Sequence, residues 1–267
     1  MPHIEAADGT RLYYYDGGGT GPVAVFVHAW SMSSTMWEYQ VAAFREAGYR
    51  CIALDRRGHG RSDVPGTGYD LDTLAGDLAG LLDRLDLRRV VFVAHSLGTL
   101  ELTRYLTRYG TGRVDRAAYV GGMAPGCVPQ EHLEAIVAAL RADRPKWFHD
   151  GAPAYFATSG TGAWLSPALV DDAIRSILVT PLEVQTATLQ TMGVDLRAEL
   201  CSIDIPTLVV HGDADASAAI DVTGRPTAAL LPNSRLEVYA GAPHGLYVTE
   251  KDRLNKELLA FAAPART

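Results

Sequence analysis

Residues 90–100 read Val90-Val91-Phe92-Val93-Ala94-His95-Ser96-Leu97-Gly98-Thr99-Leu100. The opening apolar run, mostly β-branched, has the composition of a strand buried in a parallel sheet. From Leu97 the apolar positions change to helical spacing, continuing through Leu100, Leu102, Tyr105 and Leu106. A serine therefore stands where a strand turns directly into a helix. The small residues two before it, Ala94, and two after it, Gly98, let the backbone bend there without a clash. This is the nucleophile-elbow pattern G-x-S-x-G, written here Ala94-His95-Ser96-Leu97-Gly98. Such a bend exposes the serine oxygen above the sheet and aims the first helical amides at the same spot. The pentad alone does not establish catalysis, because small-x-Ser-x-small also occurs in ordinary turns.

Upstream of the elbow, residues 3–15 read as a β-hairpin: Ile4 opens it, Asp8-Gly9-Thr10 turns it and Leu12 to Tyr15 continue it. The glycine-rich string 16–22 precedes a strand instead of joining a strand to a helix, and no Lys-Ser/Thr follows it. It reads as a flexible turn, not a phosphate loop. Val23 to Val27 is the next buried strand, and the chain leaves it through His28-Ala29-Trp30-Ser31. A loop at the carboxyl end of a central parallel strand opens onto the face where ligands bind. Its Trp30 N–H is the candidate for half of an oxyanion hole, with His28 expected to hold the loop. A helix is expected over 35–47, then a strand from Arg50 to Asp55, then the tight turn Asp55-Arg56-Arg57-Gly58-His59-Gly60-Arg61-Ser62-Asp63. In that turn Asp55 and Arg57 are expected to pair. Leu74, Leu78, Leu81, Leu82 and Leu85 share one face of a helix capped by Asp70 or Asp72.

Downstream, Val114 to Val120 forms a strand ending in Gly121-Gly122-Met123. From 125 to 196 the texture changes: buried strands disappear, and Trp147, Phe148, Tyr155, Phe156 and Trp164 occur in short segments broken by proline and glycine. This predicts a helical cap, residues 125–196, inserted into a core formed by 1–124 and 197–267. Its aromatic residues are expected either to form the cap's own core or to line a pocket. Strands at 206–212 and 235–239 and helices at 227–231 and 250–262 complete the pattern. Asp213, Asp215 and Asp221 lack the central glycine and late glutamate of a calcium loop, so no metal site is expected.

The bulk numbers set limits. At 267 residues, 48% hydrophobic and 21% charged, the chain suits one α/β domain with an insertion. The apolar runs are of strand length, so no membrane partner is expected, and the first residues carry no signal-peptide pattern. A net charge of −7 without a basic cluster argues against nucleic acid. Cys51, Cys127 and Cys201, odd in number and scattered, are expected to be reduced core thiols of a cytoplasmic protein.

Taken in order, the loops after buried strands offer Ser96, then Asp215, then His244. A serine hydroxyl near neutral pH needs a base to take its proton, and histidine can accept and return it. A carboxylate on the other ring nitrogen fixes the tautomer and stabilises the imidazolium. Asp213 is the rival acid, but Asp215 lies farther beyond the strand end. Among other histidines, His95 should point away from the Ser96 hydroxyl, His211 lies in a strand, and His59, His132 and His149 lie in turns or the cap.

His28-Ala29-Trp30, the 55–62 turn, Ala94 to Gly98, His211-Gly212-Asp213-Ala214-Asp215 and Gly241-Ala242-Pro243-His244-Gly245-Leu246 resemble the α/β-hydrolase superfamily, most of all its cofactor-free haloperoxidase or arylesterase-like branch. The similarity runs over nearly the whole chain. It implies an α/β-hydrolase fold with a mostly parallel eight-stranded sheet flanked by helices. It also implies Ser96 as nucleophile, Asp215 as orienting acid, His244 as base, and the Trp30 and Leu97 amides as the oxyanion hole, with no metal or haem. Trp30, Met123, Trp147, Phe156, Trp164 and Leu246 are the candidate pocket residues. Departures from the pattern are Ala29 and Ala94 in place of glycine, Thr99 where glycine is common, and no proline after Asp215.

The expected activity is hydrolysis of a small to medium apolar ester or lactone through an acyl-enzyme, with perhydrolysis as a side activity. The same triad serves amide, lactam or carbon–carbon hydrolases and acyltransferases. A ligand-binding receptor with negligible turnover is the alternative from another class. The partner is a small molecule; a homo-oligomer is compatible with the sequence.

Overall fold

A computed structural model of the chain describes residues 2–123, 125–158 and 165–263. Its strands are β1 (His3–Glu5), β2 (Arg11–Asp16), β3 (Val23–Val27), β4 (Arg50–Leu54), β5 (Val90–His95), β6 (Val114–Val120), β7 (Thr207–Gly212) and β8 (Ser234–Tyr239). The helices are α1 (Glu38–Glu46), α2 (Leu71–Arg84), α3 (Leu97–Arg108), α4 (Gln130–Phe156), α5 (Pro167–Val179), α6 (Leu182–Leu189), α7 (Arg197–Leu200), α8 (Gly224–Leu230), α9 (Leu246–Thr249) and α10 (Lys251–Ala262).

The strands form one eight-stranded sheet in the order β1-β2-β4-β3-β5-β6-β7-β8. β1, β2 and β4 pair antiparallel, and every pair from β4 to β8 is parallel. After β3 the chain steps outward to β4, then crosses back to β5 on the other side of β3. Strand order reverses there, and the crevice at the carboxyl ends of such strands is where open α/β sheets hold ligands. The loop 28–31 and the elbow at Ser96 leave these two strands.

Alternation along each strand divides the interior. In β3, Val25 and Val27 face a core shared with α2 and α3, while Ala24 and Phe26 face one shared with α1 and α10. The leucine face of α2 packs as its spacing predicts, with Leu85 only partly buried at the end. Asp70 is the cap, its carboxylate accepting from Thr73 N–H at 2.9 Å. The helix expected over 35–47 begins instead with a 3₁₀ turn, Ser34–Trp37. In α4 the backbone breaks at Asp143 (φ −161°, ψ 88°), two residues before Pro145, whose ring restricts the backbone ahead of it. Among the described residues, no helix is long and apolar enough to cross a membrane.

Two expectations are corrected. Asp55 does not pair with Arg57: it accepts from Ser34 N–H at 2.7 Å and Arg61 N–H at 2.9 Å. Arg57 turns to Asp77 on α2 and Asp8 in the first hairpin, each at 2.7 Å. Of the cysteines only Cys51, in β4, is buried; Cys127, before α4, and Cys201, just after α7, are exposed.

Candidate active site

Ser96 follows β5 directly and caps α3 at φ 54°, ψ −123°. This conformation is costly for a side chain with a Cβ and persists only where its surroundings hold it. Its N–H donates to Val120 O at 3.1 Å, carrying the β5–β6 ladder into the turn. The Ser96 Oγ lies 3.0 Å from His244 Nε2, and His244 Nδ1 lies 2.7 Å from Asp215 Oδ2. A carboxylate only accepts, so the proton sits on Nδ1 and Nε2 accepts from the serine. All three residues are buried.

Asp215 is held in turn. Its Oδ1 accepts from Ser217 N–H at 2.9 Å and Ala218 N–H at 2.7 Å. Burial would raise this carboxyl, but the neighbouring His244 ring, hydrogen bonds from His211 and His244 and the Ala218 amide outweigh it. They hold Asp215 well below the usual carboxylate range. Asp213 sits elsewhere, its Oδ1 accepting from Gly241 N–H at 2.6 Å. Asp221 pairs with Arg225 at the surface.

Two histidines have contacts that the sequence reading did not assign. His211 Nε2 reaches Ala218 O at 2.7 Å and lies 3.2 Å from Asp215 Oδ2, bracing the acid from the strand side. The spacing of four residues across a strand end was the signal available for it. His95 lies under His244 with its Nε2 3.0 Å from the His244 carbonyl. Burial, then the neighbouring His244, pushes the His95 imidazole down to about 3. His95 is therefore neutral, and its Nε2–H donates to that carbonyl.

Ser96 and His244 stand at the floor of a cavity of about 490 Å³. Trp30, Met123, Trp147 and Phe156 line it, as does His132. Trp164 lies outside the described residues. Leu246 is not at the cavity: it opens α9 and is fully buried among the side chains beneath α1 and α10. The sequence reading missed Met32, Ile174 and Ile177, which also face the space. Trp30 joins the loop to α4 and α6, its ring centroid 6.0 Å from Trp147 and its Nε1–H donating to Gln185 O at 3.0 Å. The backbone N–H groups of Trp30 and Leu97 have no hydrogen-bond partner among the described residues.

The profile of the alpha/beta hydrolase fold family matches residues 22–165. A non-heme chloroperoxidase from Kitasatospora aureofaciens is 38% identical, covering 98% of this chain and 99% of its own. A bifunctional esterase/perhydrolase from Acinetobacter calcoaceticus is 31% identical over the same shares of the two chains. The crystal structure of a bromoperoxidase from Bacillus anthracis superposes with a TM-score of 0.90 at 32% identity, covering 97% of this chain and 99% of that one. The chain belongs to the α/β-hydrolase fold family, in its non-heme haloperoxidase branch.

Proposed function

We propose that this protein is a serine hydrolase that cleaves a neutral, apolar carboxylic ester or lactone of small to medium size. The observation that carries the reading is the chain of contacts from Ser96 Oγ to His244 at 3.0 Å and from His244 to Asp215 at 2.7 Å, opening into an apolar cavity. Ser96 Oγ attacks the carbonyl carbon while His244 Nε2 takes its proton. The Trp30 and Leu97 amides hold the developing oxyanion. His244 then protonates the leaving alkoxide, and water activated by the same imidazole releases the acid.

The lining supports the substrate class. Among the described residues at the cavity, the titratable side chains are His132, Tyr155 and His244, and no carboxylate or fixed cation is present. A charged substrate would lose hydration there without a counter-charge, whereas an apolar one gains by burial. Residues 125–196 act in this reading as a cap, since α4 and α5 supply much of the lining. Hydrogen peroxide in place of water would yield a peracid from the same acyl-enzyme, in keeping with the name of the Acinetobacter relative.

Intact mass after exposure to a small fluorophosphonate tests the serine. A single adduct on the wild type, absent from Ser96→Ala, is expected, together with turnover of short-chain aryl esters that the variant lacks. Ester hydrolysis by folded Ser96→Ala at the wild-type rate would sink the assignment. Tight binding of an ester without multiple turnover would favour a receptor.

A further inference from the structure

Arg56 and Arg57 are adjacent in the chain, yet their guanidinium groups enter different buried ion pairs. Arg57 binds Asp77 on α2. Arg56 lies between the loop after β3 and α3. Its Nε donates to Glu101 Oε2 at 2.7 Å, and the Arg56 and Glu101 side chains are only 2% and 1% exposed. The same guanidinium donates to His28 O at 2.9 Å and to Ala29 O at 3.3 Å.

His28 completes the grip. Its Nε2 accepts from Arg56 N–H at 2.9 Å, so its proton is on Nδ1, which lies 2.7 Å from Ala29 O. Burial and the charge of Arg56 hold this imidazole neutral. The Ala29 carbonyl therefore accepts from two donors at once. Across the trans peptide Ala29–Trp30, the N–H points opposite to that carbonyl. Fixing the oxygen from one side fixes the direction of the Trp30 N–H on the other. Glu101, the far partner of Arg56, sits one helical turn beyond Leu97.

We infer that Arg56 and Glu101 are positioning residues for the oxyanion hole, locking the Ala29–Trp30 peptide to the first turns of α3. The pair sets the spacing between the Trp30 and Leu97 amides without touching substrate. This rests on the reading of those two amides as the oxyanion donors. Stability alone does not account for the pair, because a buried ion pair commonly gains little over a packed apolar replacement. A lysine at 56 keeps the charge but cannot reach Glu101 and two carbonyls from one rigid plane.

The test uses the full chain with Glu101→Gln, Arg56→Lys and, as a control, Asp77→Asn. Melting temperature, kcat and KM for a p-nitrophenyl acyl ester, and affinity for a trifluoromethyl ketone are measured where each variant is folded. The ketone adds to Ser96 and places a negative oxygen in the hole. Glu101→Gln is expected to lose roughly 10- to 100-fold in kcat with KM within about twofold. Ketone affinity should fall by a similar factor, and Arg56→Lys should lose at least as much. Asp77→Asn should melt lower and keep its kcat. Should Arg56→Lys fail to fold, Glu101→Gln, nearly identical in shape, decides alone. If Glu101→Gln melts lower but keeps kcat and ketone affinity, the pair is merely structural and the inference is overturned. A folded wild type that neither turns over ester nor binds ketone overturns the hydrolase reading itself, and this inference with it.

Discussion

The carbonyl oxygen of Val27, at the end of β3, stands where a side chain on Gly98 would begin: a Cβ there would lie 2.8 Å from it and 2.9 Å from His28 O. Both obstacles are backbone, so no rotamer change relieves them. This contact seats the first turn of α3 against the end of β3 and brings the elbow beside the loop 28–31. Gly98→Ala should displace α3 and cost about 1–3 kcal/mol, as overpacked cores do. A shift of about 1 Å at the elbow should also lower kcat by roughly 100-fold. Urea denaturation and ester turnover measure the two effects. Wild-type values for both would mean that the contact yields freely.

Asp213 and Asp215 are two residues apart but enter different networks, one holding Gly241 N–H and the other His244 Nδ1. Asp215→Asn should reduce kcat by about 10⁴-fold, because an amide that donates to Nδ1 moves the imidazole proton to the nitrogen that must accept from Ser96. Asp213→Asn should leave kcat near the wild-type value and lower the melting temperature slightly. Steady-state kinetics on both variants check this. The opposite ranking would transfer the acid's role to Asp213.

What was legible depended on how local the signal is. The elbow lies where a continuous apolar run becomes helical within a few residues, and the break falls at Ser96. Ser96, Asp215 and His244 could be grouped because each follows a strand of the parallel part of the sheet, buried in β5 and β7 and at the edge in β8, and parallel strands deliver their ends to one rim. The pairing within the 55–63 turn was not legible. Whether Arg57 meets Asp55 or Asp77 depends on α2 packing beside the turn, a contact between residues 20 apart. Leu246 was misplaced for a similar reason: the short helix α9 rotates it under the sheet, and no period is readable over four residues. The cysteines show the limit of composition, since Cys51 sits in a strand and the others in loops.

The thiols separate by environment. Burial pushes the Cys51 thiol up to about 12, so it stays protonated and shielded in the folded chain. Cys127 and Cys201 are exposed. Titration with a chromogenic disulfide under native conditions should release two equivalents quickly and the third only on denaturation. Three fast equivalents without denaturant would place Cys51 in solvent contact.

Three buried histidines tie stability to pH. Burial first, then nearby cationic or imidazole groups, lowers His28, His59 and His95, the latter two to about 3. Their ordinary value is about 6.5, so the unfolded chain takes up protons that the folded chain refuses. The unfolded state binds more protons below that value, and stability therefore rises with pH across this window. It is fully present above about pH 6.5 and is lost as pH falls toward 3, each histidine adding at most about 1.4 kcal/mol per pH unit. Asp215 adds a slope of the same sign only below about pH 5, where the unfolded carboxyl takes up protons that the folded one refuses, and contributes none above it. Unfolding free energies from urea titrations at pH 7.5, 6 and 5 should fall steadily, and His59→Gln, with one titrating group fewer, should fall less steeply. A flat profile would mean that these imidazoles are protonated in the folded chain, which the proton assignment of His28, accepting from Arg56 N–H through Nε2, does not allow.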